Sequence, residues 1–448
     1  MSNENTWSSK LGFILASAGA AIGLGQIWKF PYVAGMNGGG AFLLLFIVFT
    51  LLIGLPMLIS EYVIGRGSGK EAVGAYDTLA PNSYWRIIGR LGVLGCFLLF
   101  SFYAVVGGWV LIYTILSLFG QIIQEGANYA QFFVYVIGTP WVALLGSFIF
   151  ILINILVIAS GVQNGIERAS KYMMPILFLF LLILVIRAVT LDGASKGLIF
   201  FLKPDFSAIT AEGFLYALGQ SFFALAVGFS CMVTYASYLD RSISIPNSAG
   251  TVAIMNIFVS ILAGLVIFPS LFAFGYEPTE GPGLLFIVLP AVFSEIPFGA
   301  LFLSLFLILF LFAALTSAFS LLEIMVAPFV AKGYSRKKVS WIGGLLVFIA
   351  GIPAALSYGV LGTFTLFDKN IFDLTDYLVS NLLLPLGSLL IALFIGYKLK
   401  QTMIKEQFFL ANPLSEGWYN IWFTLMRYIV PVTIVIVFLN TLGILGGT

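Results

Sequence analysis

The chain has no histidine, only two cysteines, and charged residues at 9% of its 448 positions. Without histidine there is no imidazole base, proton relay or histidine-ligated metal centre. A nucleophilic triad would need Lys or Asp as its base. The acidic pair Asp373 and Asp376 falls at a loop end rather than within an apolar run, so an enzyme is not expected. Cys96 and Cys231 both sit in apolar runs and read as small core residues, not as a disulfide or a metal site. Net charge is +2 with no basic cluster, and nothing invites nucleic acid. Met1 to Lys10 is polar and carries Glu4. It lacks the charged, apolar, small-residue order of a cleaved signal, so the first apolar segment is expected to remain as a signal anchor.

What the chain has in abundance is apolar surface: 60% hydrophobic residues and a mean hydropathy of +1.08, well beyond soluble domains. About 20 apolar residues span a bilayer. Eleven segments qualify, at roughly 11–33, 40–65, 88–120, 140–159, 165–189, 213–238, 246–275, 297–330, 339–357, 374–397 and 420–442. Of the 21 Lys and Arg, only Arg187, Lys196, Lys203 and Lys369 fall in loops of one side, and Lys29 and Arg427 lie within segments. The rest crowd the other side, which the positive-inside rule makes cytoplasmic. The expectation is a multi-pass protein of the cell's inner (plasma) membrane, N-terminus cytoplasmic and C-terminus extracellular. The stretch 190–212 reads as a polar external loop, and 276–296 as a loop long enough to fold back as a lid.

Two segments are interrupted. The first carries Gly19, Gly23 and Gly25, then Lys29 and Pro31; the sixth carries Gly219, Gly228 and Ser230. Glycine and proline weaken helices, and broken backbone at membrane depth must be packed in protein or line a polar cavity. Breaks at matching places in two halves point to an inverted-repeat transporter with its site between them. A first break offers N–H groups to a carboxylate and carbonyls to a cation. Thr316 and Ser317 add adjacent hydroxyls in the eighth segment, so an alkali cation between segments one and eight is physically reasonable. Glu61 is open to two readings, snorkelling to the cytoplasm or a buried role.

The stretches from Trp7 to Ala16, from Gly23 to Pro31, from Asn37 to Phe42 and from Thr234 to Tyr238 resemble the neurotransmitter:sodium symporter family, in its bacterial eleven-span amino-acid branch. The resemblance covers essentially the whole chain. It implies an all-α polytopic membrane protein with a LeuT-like 5+5 inverted repeat, about 11 transmembrane helices, helices 1 and 6 broken, and one accessory helix. All of 1–448 is then one transporter domain, with repeat one at about 10–190, repeat two at about 212–398 and the accessory helix at about 420–442. It implies an amino-acid site in which the carboxylate meets Leu24, Gly25 and Tyr103. The side chain would meet Leu99, Phe223, Ala226, Phe229, Ser317 and Leu321, with Ala20 and Ala224 at the border. No charged group lines that set, which suggests a neutral, apolar amino acid.

The resemblance also implies two sodium sites. The second uses positions matching Gly19, Ile22, Ala313, Thr316 and Ser317, all suitable here. The first uses Ala21, a helix-one Asn that is Gln26 in this chain, a helix-six hydroxyl position that is Ala224, and Asn256. Two side-chain oxygens are thus lengthened or lost, and one or two Na+ ions stay open. Chloride stays open as well: Gln220, Asn256 and Ser260 match chloride-dependent relatives, Phe46 and Ala224 do not. The outer gate pairs Lys29 with Asp376 under Phe223. The inner gate becomes a reversed pair, Glu4 with Lys332, held by Trp7 and Tyr238. Gly165 and Pro175 mark a place in helix five that would unwind to admit water. The reading is a sodium-coupled symporter for a neutral, hydrophobic amino acid working by alternating access, embedded in a lipid bilayer as a monomer or weak homodimer. Alternatives are a symporter for a small amine or ω-amino acid, and a substrate-sensing receptor with little transport.

Overall fold

Each apolar run forms a helix because a bilayer offers no water to unpaired backbone groups. The computed structural model describes residues 6–124, 126–277, 283–411 and 414–444. Among the described residues, nine helices are long and apolar enough to cross a membrane, and a tenth span is a bent pair. In chain order, α1 is that pair, Lys10–Ala21 and Gly25–Met36, bent by 52°. Then come α2 (Gly40–Ser68), α3 (Tyr84–Leu118), α4 (Pro140–Ala159) and α5 (Val162–Val189). α6 consists of Ala211–Phe223 and Cys231–Ser237. The series closes with α7 (Ile245–Ala273), α8 (Gly299–Ala331), α9 (Arg336–Ala355), α10 (Ile371–Lys398) and α11 (Glu416–Thr441). Among the described residues no strand forms, only one isolated bridge between Leu366 and Lys369.

The two broken helices sit in the middle. α1 packs on α5, α7 and α8, and both halves of α6 pack on α2. Around them α3 joins α8 and α4, α4 joins α9, and α11 lies against α10. The loop segments differ from expectation. Within 190–212 the helix Ala194–Leu202 forms and buries Phe201. It fits because Gly197 lies against the Phe268 carbonyl, where an added Cβ would stand 2.3 Å away. Residues 278–282 of the expected lid lie outside the described set. The rest folds as Leu284–Ser294, with Phe286 stacked 5.3 Å from Phe133 and packed edge-on to Tyr113. Most of that segment is buried, with Phe286 against Trp109 and Tyr113 of α3.

We call the side holding Trp7 the N-terminal face and the opposite side the vestibule face. On the N-terminal face, the start of α1 is held by Glu167 at the foot of α5. Its carboxyl accepts from the Ser8 N–H at 2.8 Å, the Ser8 hydroxyl at 2.5 Å and the Ser9 hydroxyl at 3.3 Å, and Lys171 Nζ stands at 2.7 Å. Gly12 makes room for it: a Cβ there would lie 1.9 Å from Glu167 Oε1. Gly12→Ala should therefore cost about 1–3 kcal/mol by overpacking a pinned carboxyl, read as a lower thermal unfolding midpoint; an unchanged midpoint would mean that the carboxyl swings away freely.

Candidate functional site

The break in α1 begins where Ile22 leaves helical geometry, at φ −89° and ψ 92°. The Gly23 N–H, which a continuous helix would give to the Gly19 carbonyl, goes instead to Gln26 Oε1 at 3.0 Å. The carbonyls upstream are taken up from other helices. Ser317 Oγ of α8 donates to Ala20 O at 3.0 Å, and Asn256 Nδ2 of α7 reaches Ala21 O at 3.5 Å. Beyond the break, Gln220 Nε2 donates to Gly25 O at 2.9 Å. The break in α6 is built from unusual backbone. Ala226 and Ser230 take positive φ of 52° and 62°, and Gly228 takes 104°. A left-handed non-glycine residue costs on the order of 1–2 kcal/mol, so something must hold this shape.

Glu61 of α2 does so. It is fully buried, and its carboxyl accepts from the N–H groups of Gly228 at 2.6 Å, Met232 at 3.1 Å and Val233 at 3.3 Å. These are the donors that the start of a half-helix leaves without partners. Of the two readings of Glu61, the buried one holds. Arg66, one turn on, is buried too and donates to Gln407 and to the Ile243 carbonyl.

Between the two breaks lies a cavity of about 40 Å³. It collects Ala20, Leu24, Gly25, Leu99, Tyr103, Phe223, Ala226, Phe229, Ser317 and Leu321, and no charged side chain lines it. The Tyr103 hydroxyl donates to the Ala314 carbonyl at 3.3 Å and also meets the Ser317 side chain and the Leu24 backbone. A Cβ on Gly23 would stand 2.8 Å from Ser317 Oγ and 3.0 Å from Tyr103 OH, so only glycine leaves that corner open. Ala224 is not part of the wall. It is fully buried among Phe30, Phe42 and Phe46, and its carbonyl accepts from Gln26 Nε2 at 2.8 Å and Asn256 Nδ2 at 2.7 Å. Cys231, Ser320 and Leu384 do line the cavity and were missed; each reads in sequence as an ordinary residue of an apolar run. Phe223 and Leu384 also border a vestibule of about 510 Å³ on the far side, so they form the partition.

The two sets of candidate cation ligands differ. Gly19 faces Thr316 closely, for a Cβ would meet Thr316 Oγ1 at 3.2 Å. Thr316 Oγ1 donates to Phe312 O at 2.9 Å and lies 3.2 Å from Ala313 O. Thr316 of α8 therefore stands against Gly19 of α1, one residue from the Ser317 hydroxyl that bonds to Ala20 O. In the other set, the Ala224 carbonyl already receives two amide donors, and Gln26 Oε1 is taken by Gly23. One oxygen there, Asn256 Oδ1, is buried without a partner.

The gates depart from expectation. Lys29 does not pair with Asp376: its Nζ lies over the Phe223 ring, 4.9 Å from the centroid, while Asp376 accepts from Ser380 Oγ at 2.7 Å. The cause is the open vestibule between α1 and α10. Glu4 lies outside the described residues, and Lys332 Nζ sits 6.0 Å over the Phe329 ring of its own helix. On the N-terminal face the described residues form a further cluster. Arg336 Nη1 stands 2.6 Å from Glu323 Oε2, the Tyr238 hydroxyl donates to Glu323 Oε1 at 2.8 Å, and Trp7 Nε1 donates to Tyr235 O at 2.8 Å. Trp7 and Tyr238 pack edge-on at 6.3 Å. Gly165 lies against α4, a Cβ there falling 2.0 Å from Val157 O, and Pro175 sits inside α5. Glu61→Gln should destabilise the break of α6 by about 1–3 kcal/mol, because an amide N–H2 would face backbone donors; a variant as heat-stable as the parent would show that Glu61 does not hold it.

The comparisons agree with this architecture. The family model described as "Sodium:neurotransmitter symporter family" matches residues 4–129 and 136–444. The chain is 51% identical to YhdH, an uncharacterized sodium-dependent transporter of Bacillus subtilis, over 98% of both chains. It is 38% identical to an uncharacterized sodium-dependent transporter of Haemophilus influenzae, again over 98% of both. The crystal structure of MhsT in complex with L-phenylalanine superposes with a TM-score of 0.90 and 42% identity, covering 98% of this chain and 99% of that one. With its interrupted helices, its span order and a family match along nearly its whole length, this chain is a multi-pass membrane transporter of the sodium:neurotransmitter symporter family.

Proposed function

We propose that the protein takes up a neutral amino acid with an apolar side chain, driven by sodium and by alternating access. The observation that carries this reading is the corner where the Tyr103 hydroxyl meets the Leu24 backbone beside the cavity free of charged side chains. A carboxylate suits that corner, since N–H groups at the start of the second half of α1 and a phenol hydroxyl all donate. The remaining wall is apolar and calls for an uncharged side chain. A relative of the same fold was solved with L-phenylalanine. At about 40 Å³ the cavity is contracted, so a bulky side chain must push Phe223 and Leu384 toward the vestibule. Their return would close the site behind it.

Sodium suits the oxygens of Gly19, Ile22, Ala313, Thr316 and Ser317, a hard donor set. An ion there joins α1 to α8 and favours the form open to the vestibule. Ion and substrate are coupled when both favour the same states. Release follows through α5. Met174 beside Pro175 lies 3.3 Å from where a Cβ of Gly19 would be, so loosening the turns between Gly165 and Pro175 admits water to those oxygens.

The first sodium position is not well suited. Gln26 Oε1 already accepts from the Gly23 N–H, so a cation would have to share that oxygen through its second lone pair. The amide is fixed by the break itself, with its N–H2 toward the Ala224 carbonyl. Ala224 supplies no hydroxyl. This favours one sodium per substrate. An anion is not favoured either: Phe46 packs 4.8 Å from Phe30, and the Gln220 amide is spent on Gly25 O.

In proteoliposomes, uptake of labelled leucine or tryptophan should require sodium and persist without chloride, with other apolar amino acids competing and amines or ω-amino acids not. Uptake indifferent to sodium would refute the coupling. Parallel fluxes of radioactive sodium and substrate should match one to one, and a two-to-one ratio would restore the first site.

A further inference from the structure

The only two cysteines of the chain stand far apart in sequence, yet their Sγ atoms lie 3.3 Å apart and both side chains are buried. Cys96 is on α3. Cys231 opens the second half of α6 and lines the cavity between the breaks. The seam around them is close. A Cβ on Gly92 would lie 2.2 Å from the Phe229 carbonyl, and one on Gly95 would lie 2.4 Å from the Phe229 ring. The break of α6 thus nests against a stripe of small residues on α3, and Cys96 continues that stripe. Packing alone asks for a small residue at position 96; alanine or serine would serve. It does not ask that the two thiols of the chain face each other.

We propose that Cys96 and Cys231 are an oxidisable dithiol, which a peroxide reaching the cavity converts to a disulfide that ties α3 to the second half of α6 and stops transport. The sulfur of Cys231, on the cavity wall, attacks one peroxide oxygen. The O–O bond breaks, a sulfenic acid forms, and with hydrogen peroxide one water leaves. The Cys96 sulfur then attacks that sulfur and expels a second water. Two thiols and one hydrogen peroxide give one disulfide and two waters. The sulfurs close from 3.3 Å to about 2.05 Å. The second half of α6 has seven residues, so a bond at its first residue fixes all of it. The arrest of transport rests on the functional reading above; formation of the bond does not.

The test uses the full chain in proteoliposomes, treated with hydrogen peroxide and then catalase. Thiols are counted with a maleimide in denaturant, and sodium-driven leucine uptake is measured alongside. Both thiols should disappear, uptake should be lost, and dithiothreitol should restore both. C96S should take up leucine like the parent before peroxide; afterwards its Cys231 can reach a sulfenic acid but cannot form the bond, so it should lose less uptake than the parent. Two thiols persisting after treatment would overturn the proposal, as would equal inhibition of C96S and the parent. Absence of sodium-driven leucine uptake in the reduced protein would instead count against the functional reading, and the thiol count would still decide whether the bond forms.

Discussion

The structure depends on satisfying the backbone of two broken helices in a medium without water. An unpaired peptide group in such surroundings costs several kcal/mol, and each break exposes several. Three carboxamides and one carboxyl answer most of this demand. Gln26, Gln220 and Asn256 serve the break of α1 and the neighbouring carbonyl of Ala224. Glu61 serves the start of the second half of α6. Because these groups sit on α1, α2, α6 and α7, the breaks are defined by helices distant in sequence. That is what lets the central helices carry an irregular site without unravelling.

The same arrangement divides the molecule into a part that closes and a part that opens. On the N-terminal face, Glu167 clasps Ser8 and Ser9, while Glu323 gathers Tyr238 and Arg336. On the other face a vestibule of about 510 Å³ runs down to Phe223, with Lys29 resting on the ring rather than bridging to Asp376. Among the described residues, the N-terminal face is tied by these contacts and the opposite face holds the vestibule. A thin partition of Phe223 and Leu384 separates vestibule from cavity, so small side-chain movements there have large consequences for access.

Small residues set how closely the helices approach. Gly12 admits the Glu167 carboxyl, Gly23 keeps the corner between Tyr103 and Ser317 open, and Gly92 and Gly95 let α6 lie on α3. Each is a position where a methyl group would fall within 3 Å of a neighbour. Glycine here serves close approach between elements, which membrane helices need because lipid supplies no hydrophobic drive between them.

The sequence by itself determined the helices, their order and where two of them break. Those follow from local physics: apolar length, glycine and proline content, and the absence of water in a bilayer. The family resemblance also marked most of the cavity wall: Leu24 and Gly25 within the Gly23–Pro31 stretch, and Tyr103, Phe223 and Ser317 as positions it implies. Partner choice was decided only by tertiary structure. Nothing local says that Glu61 turns inward to α6 rather than snorkelling, that Glu323 takes Arg336, or that Ala224 turns its methyl into a phenylalanine cluster and leaves only its carbonyl near the site. Nor does it say that Cys96 meets Cys231. Each outcome depends on how distant helices cross and rotate, and that is fixed by the packing of the whole bundle rather than by any stretch within it.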